Sequence, residues 1–214
     1  QEKAGSFSLQ DSVVVKNDFK SILDGSTYQM DLSVDSQEAL YERIGEKVTL
    51  YELMFEMIVQ SSNLATNILI EKVGAEKVTE TMRKLGAEDI HVLRGVEDLK
   101  AYDAGLNNTT TALDMMLIME AIANRKVPGS QKMIAILSAQ HFNDLIPKYL
   151  PKEVKIAHKT GSITGVQHDA AILDLQGGNR YVLVILSKNL SDVNAGKECI
   201  ARISQLIYHY ASDL

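Results

Sequence analysis

The fold turns on the stretch Val154-Lys155-Ile156-Ala157-His158-Lys159-Thr160-Gly161-Ser162-Ile163-Thr164-Gly165. Val154 to His158 is a short alternating run, and Lys159-Thr160-Gly161 ends it. Ser162 to Gly165 then permits a tight reversal into a following strand. Ala170 to Leu175 and Tyr181 to Leu186 are two more apolar runs, separated by the turn signal Gly177-Gly178. Together they read as three consecutive antiparallel strands. Downstream, from about Asp192, the residues Cys199, Ile200, Ile203, Leu206, Ile207 and Tyr210 recur at helical spacing, so an amphipathic helix closes the chain. On that face Cys199 reads as a buried structural thiol.

Upstream of Pro151 the period changes to that of helices. Thr49-x-x-Glu52 is a capping box, in which the threonine oxygen takes an orphan amide and the glutamate reaches back. Leu50, Leu53, Met54, Met57 and Ile58 follow as one apolar face, stopping near Gln60. A second helix is predicted from about Leu64 to Val73, with Gly74 as its stop, and a third from Ala75 to Leu85, ending at Gly86. Residues 86–108 lack periodicity and form a long loop, a length that in compact domains usually signals function or disorder. Thr109-Thr110-Thr111 caps an apolar helix through Leu113, Met116, Leu117 and Ala121, and another follows Ser130. Helices first, then a meander and a covering helix, give an α+β fold. The expected organisation is a mainly helical lobe over 1–150, with its loop at 86–108, and a sheet with the closing helix over 151–214.

Composition narrows the function classes. Among 214 residues there are 22 Lys and Arg against 28 Asp and Glu, a formal net charge of −6. With no basic stripe to release counterions, a nucleic-acid partner is not expected. A single cysteine rules out an intrachain disulfide and a cysteine-rich metal site. No apolar run approaches the ~18 residues of a membrane span. His158 and the pair His168-Asp169 have no second acid cluster beside them, so no metal and no cofactor are expected.

Two triplets carry possible chemistry. Ser61-Ser62-Asn63 interrupts two apolar helices. It reads either as a helix stop with a new cap or as polar side chains facing a cleft. Ser187-Lys188-Asn189 shows how readily such a triplet arises. Lys159-Thr160-Gly161 is rarer, and its plain alternative is a strand ending in a turn. A hydroxyl held beside an ammonium passes protons more easily, because the positive charge lowers the cost of alkoxide character. A lysine and a threonine also suit a ligand carboxylate.

In that order and spacing the two triplets resemble those of class A β-lactamases and related penicillin-binding serine hydrolases, a family whose motifs are Ser-x-x-Lys, Ser-Asp-Asn and Lys-Thr-Gly. The run Ser61 to Leu69 looks like the family's segment, with Ser62 in place of the usual aspartate. Leu106-Asn107-Asn108-Thr109-Thr110-Thr111 looks like its omega-loop exit. The resemblance extends from about Leu9 to the last helix, and it implies a β-lactamase/transpeptidase-like fold. It also implies catalysis by Ser61 and Lys159 in proton transfer, and contacts from Asn63, Thr160 and Gly161 to a β-lactam or peptidoglycan-like substrate.

Two departures stand out. None of the serines begins a Ser-x-x-Lys. The expectation is therefore a chain that lacks its nucleophile segment and is inactive as it stands, belonging to a longer, periplasmic or secreted form. That longer form is expected to be monomeric, whereas the shorter chain associates through exposed apolar faces such as Leu53, Met57 and Leu117. The loop also lacks an intact Glu-x-x-Leu-Asn. Glu97 is the candidate deacylating base, with Asp98 and Asp103 as rivals. A D-Ala-D-Ala peptidase or esterase of the same fold, and a non-catalytic module that binds cell-wall fragments, are the competing readings. A Ser-x-x-Lys helix upstream would separate the enzymes from the binding module.

Overall fold

The structure, a computed structural model, describes Glu2 and residues 4–213. Two compact units divide the chain, Gln1–Thr110 and Thr111–Leu214. The division lies upstream of the composition change at Pro151, because two helices ahead of it pack on the sheet. The fold is α+β, as the order of elements predicts.

In the first unit, strand β1 (Ser12–Val14) pairs antiparallel with β4 (Lys47–Thr49), and β2 (Phe19–Lys20) with β3 (Thr27–Tyr28). Helices α1 (Leu50–Val59), α2 (Asn63–Val73) and α3 (Ala75–Arg83) follow, then a short α4 (Leu99–Asp103) inside the long loop. Thr49 caps α1 by accepting from the Glu52 amide at 3.1 Å. Only this half of the capping box forms, since the Glu52 carboxylate turns instead to the Arg43 guanidinium. Gly74, at φ 85, ends α2 where a residue with a side chain would be strained. Val15, Phe19, Met30, Val48, Leu53, Leu64 and Ile68 form this unit's core. Leu53 is fully buried, which corrects its expected exposure.

The second unit begins with α5 (Ala112–Ala123), capped by Thr111 through the Asp114 amide at 3.1 Å, and α6 (Ser130–Leu137). Strands β5 (Lys155–Ile163), β6 (Val166–Asp174) and β7 (Arg180–Leu186) form one antiparallel sheet in that order. Helix α7 (Val193–Ser212), capped by Asp192, packs on β6, while α5 packs on β6 and β7 and α6 on β5. Covered on both faces, β6 buries Ala170, Ala171, Ile172 and Leu173 in succession. That continuous apolar run is what two-sided burial requires. Leu145, Ile146, Val154, Leu183 and Ile200 join Ala171 and Leu173 in this unit's core.

Two details differ from expectation. Lys159-Thr160-Gly161 lies inside β5, which continues to Ile163 because nine residues pair in register with β6. Cys199 is exposed, since its position on α7 falls to the side of the buried stripe through Ile200 and Ser204. Among the described residues no helix is long and apolar enough to cross a membrane.

The burial pattern makes a direct prediction. Leu173→Ala should cost about 2–5 kcal/mol, because a core cavity replaces a side chain with no exposure. Ile163→Ala, at 65% exposure, should change stability by less than about 0.5 kcal/mol. Urea denaturation of the two variants measures the contrast.

Candidate functional site

In the first unit the candidate residues lie at the junction of α1 and α2. Ser61 joins them at φ 57, a left-handed conformation costing a non-glycine residue about 1–2 kcal/mol. Ser62 is fully buried and caps α2, its Oγ accepting from the Ala65 amide at 3.1 Å. Serine and aspartate are both strong caps, so Ser62 does at this position what the aspartate of the resembled motif could do. Asn63 opens α2, and its Nδ2 donates to Glu97 Oε1 at 2.7 Å. The structure thus brings together two residues that lie far apart in sequence.

Glu97 is held from behind by its own loop. Asn67, buried one turn into α2, binds the Val96 backbone at both ends. Its Oδ1 accepts from the Val96 amide at 2.7 Å and its Nδ2 donates to the Val96 carbonyl at 3.0 Å. The fit needs Gly95, where a Cβ would sit 2.4 Å from Asn67 Oδ1. Arg94 is buried and donates to the Leu106 carbonyl at 2.9 Å and to Asn107 Oδ1 at 3.2 Å. Asn108 accepts from the amides of Leu93 and Arg94 and donates back to the Arg94 carbonyl. At the loop's base His91 bridges Thr109. Sequence reading missed Asn67, Arg94 and Asn108 as loop clamps. The one local signal was Arg94-Gly95, a long donor beside a residue without a side chain.

The three loop carboxylates part ways. Asp98 is 1% exposed, caps α4 through the Ala101 amide at 3.2 Å and accepts from the Ile22 amide at 2.9 Å. Its oxygens are occupied in holding backbone. Asp103 is exposed at the end of α4. Glu97 alone meets the Ser-x-Asn triplet, and its Oε2 also accepts from the Asp31 amide at 3.0 Å. Its φ of 60 is a second left-handed non-glycine position beside the first. Nearby, burial and then the Asp35 carboxylate push the Tyr41 phenol up, with Glu97 and Asp31 adding to the effect. The neighbourhood of Asn63 is therefore electronegative.

In the second unit the candidate residues lie on the edge strand β5. Lys159 is half-buried and its Nζ donates to the Thr160 carbonyl at 2.7 Å. Burial pulls its ammonium down to about 8, partly offset by the Asp169 carboxylate. Neighbouring strand residues point to opposite faces, so Lys159 shares a face with Gly161, and Thr160 with His158. A ligand group that meets both Lys159 and Thr160 must sit at the outer edge of β5, which pairs with no strand among the described residues. A Cβ on Gly161 would meet His168 Cβ at 3.4 Å, tight but within adjustment. Ser162 accepts from Gln167 Nε2 at 2.7 Å, stiffening the strand's end. His158 faces Asp169, with no further carboxylate or cysteine completing a metal site. Among the described residues no group of three such ligands gathers anywhere.

The sequence profile described as "Beta-lactamase enzyme family" matches residues 1–211. A beta-lactamase of Bacteroides uniformis is 24% identical over 178 residues, covering 75% of this chain and 60% of that protein. Beta-lactamase ROB-1 of Haemophilus influenzae is 27% identical over 171 residues, covering 77% of this chain and 56% of that one. The chain thus spans 56–60% of the length of these relatives. The solved structure described as "Structure of PBP-A" aligns with a TM-score of 0.81 at 25% identity, over 100% of this chain and 76% of that one.

The loop clamp is testable on its own. Gly95→Ala should displace Asn67 from Val96, since a 2.4 Å approach is impossible. Hydrogen exchange should then show the Val96 amide losing protection, with the amides of β6 unchanged. Retained protection at Val96 would mean the clamp does not hold the loop.

Proposed function

The chain belongs to the beta-lactamase enzyme family, and from that premise we propose a serine hydrolase that opens β-lactam rings through an acyl-enzyme. The observation that carries the reading is the 2.7 Å hydrogen bond from Asn63 to Glu97. It sets a carboxylate beside the amide that would hold the substrate's acyl side chain. In the first step a serine oxygen bonds to the lactam carbonyl carbon, the ring C–N bond breaks, and the proton leaving the serine hydroxyl is relayed through the Ser61 hydroxyl to the nitrogen. Lys159 and Thr160 hold the ligand carboxylate, with Gly161 keeping the strand edge open. In the second step Glu97 accepts a proton from water, whose oxygen bonds to the acyl carbon; the ester C–O bond breaks and the serine oxygen takes that proton back. No metal or cofactor enters either step as we propose it. The attacking serine of a Ser-x-x-Lys motif has no counterpart in the 214 residues, so the part of the reaction assigned here is proton relay, anchoring and deacylation. A periplasmic or secreted location, and a monomeric full-length form, belong to the same reading.

One observation favours a peptidase-like second reading. Both Glu97 oxygens already accept hydrogen bonds, from Asn63 and from the Asp31 amide. A carboxylate keeps further lone pairs, so water is not shut out, but it must compete with two donors already in place. Poorly held water gives a long-lived acyl-enzyme. A mutant of PBP-A is itself described as an acyl-enzyme complex with penicillin G.

Two measurements test the proposal. The purified 214-residue chain should not turn over a chromogenic cephalosporin. Turnover surviving repeated purification would assign the nucleophile to a serine already present. Benzylpenicillin binding, followed by calorimetry, should weaken at least tenfold in Lys159→Ala, since a charge-assisted hydrogen bond is worth about 1.5–3 kcal/mol. The same binding should fade as pH rises through about 8, where Lys159 loses its charge. Flat binding to pH 9.5 would remove Lys159 from the site.

A further inference from the structure

Between β3 and β4 the first unit carries a strap of two short 3-10 turns, Leu32–Val34 and Glu38–Arg43. The strap reaches the Asn63–Glu97 pair at two points. At its start the Asp31 amide donates to Glu97 Oε2 at 3.0 Å. Further on, Asp35 Oδ2 accepts from the Leu64 amide at 2.9 Å. Leu64 follows Asn63 directly in α2, and its amide is one of the donors that a helix start leaves without an internal partner. Ser62 serves the next amide, that of Ala65. Two acceptors therefore hold the first turn of α2, one its own and one brought from 29 positions upstream.

Asp35 is itself tethered through both oxygens. Its Oδ1 accepts from the Gln37 amide at 3.1 Å, and the Tyr41 hydroxyl donates to Oδ2 at 3.0 Å. Gln37 Nε2 in turn donates to Glu56 of α1. Leu40, 3% exposed, anchors the strap in the first unit's core, with Tyr41 packed beside it. Asp31 and Asp35 also share one turn. The Val34 amide donates to the Asp31 carbonyl at 3.1 Å, and the Ser33 amide to Asp31 Oδ1 at 2.8 Å. The two anchors therefore move together.

We propose that Asp35 is a positioning residue that fixes Asn63 against Glu97. It clamps the first turn of α2, while the Asp31 amide holds the Glu97 carboxylate from the same strap. The inference rests on the roles proposed above for Asn63 and Glu97, whose shared bond measures 2.7 Å. An N–H···O bond holds over only about 0.5 Å of separation, so a first turn free to shift by more than that would lose it. Ser62 alone fixes the backbone at Ala65. Asp35 fixes it at Leu64, next to the residue whose side chain must reach Glu97.

The test is NMR on the 214-residue chain with no ligand present, reading the Asn63 Nδ2 protons and the exchange of the Leu64 amide. A negative result therefore counts against Asp35, and the β-lactam reading is left to the turnover and binding experiments. In Asp35→Ala the Leu64 amide should exchange about fivefold faster, the size of a typical lost cap. The Asn63 Nδ2 signal should move upfield, toward that of a free asparagine. Asp35→Asn keeps a side-chain oxygen for the Leu64 amide and should restore most of both. A role confined to stability would lower the urea midpoint of Asp35→Ala and leave the Asn63 signal in place. That result overturns the proposal, as does a shift in Asp35→Asn equal to that in Asp35→Ala. If Asp35→Ala fails to fold, Asp35→Glu decides. Its carboxylate sits one methylene further out, so the Asn63 signal should move, and an unmoved signal overturns the positioning role.

Discussion

A long loop with only one short helix must still satisfy its other backbone amides and carbonyls, and in the first unit this constraint governs everything near Glu97. Between 86 and 108 the task falls to side chains. Asn67 imitates a strand partner for Val96, Asn108 does the same for Arg94, and Asp98 takes amides from two directions. An unpaired buried amide costs on the order of 1–3 kcal/mol, so each of these residues is held in place by the backbone it serves. The position of Glu97 follows. Its backbone is delivered by the clamp on Val96, and its left-handed φ is tolerable because the neighbouring residue is fixed.

This arrangement explains what could be read from sequence and what could not. The helix starts at Thr49 and Thr111, the stop at Gly74 and the three strands after Pro151 were legible, because caps, glycines and periodicity act within a few residues. The family resemblance likewise rested on short motifs, and the fold and the family profile agree with it. The loop clamps were not legible. Asn67 pairs with Val96 across 29 positions, and nothing local separates that asparagine from one on a solvated face. Nor did pattern show that Asp98 would turn inward while Glu97 turned to Asn63, since adjacent acids in an irregular segment have no period to sort them. Cys199 failed for the opposite reason. It lies at helical spacing with apolar residues, but α7 buries a stripe narrower than its apolar arc.

In the second unit the controlling fact is that β6 is covered on both faces. A central strand so enclosed fixes the register of its neighbour, and β5 inherits nine paired positions, including Lys159, Thr160 and Gly161. A strand-end reading of that triplet would leave its side chains loosely placed. Inside a paired strand they are directed by the pleat, Lys159 to one face and Thr160 to the other. Anchoring by both then requires a ligand group small enough to lie across the strand's open edge, and a carboxylate meets that requirement better than an extended apolar group.

The same enclosure sets the electrostatics of Lys159. A sheet packed tightly enough to fix the triplet also strips water from its ammonium, and the charge that makes the lysine useful becomes costly to keep. His158, the residue before Lys159, necessarily points to the far face, where its ring meets the buried Asp169 carboxylate at 3.0 Å. One chain segment thus presents a half-buried cation on one side and closes a buried polar pair on the other. Adjacency in sequence becomes opposition in space, because the pleat that fixes one residue also fixes its neighbour.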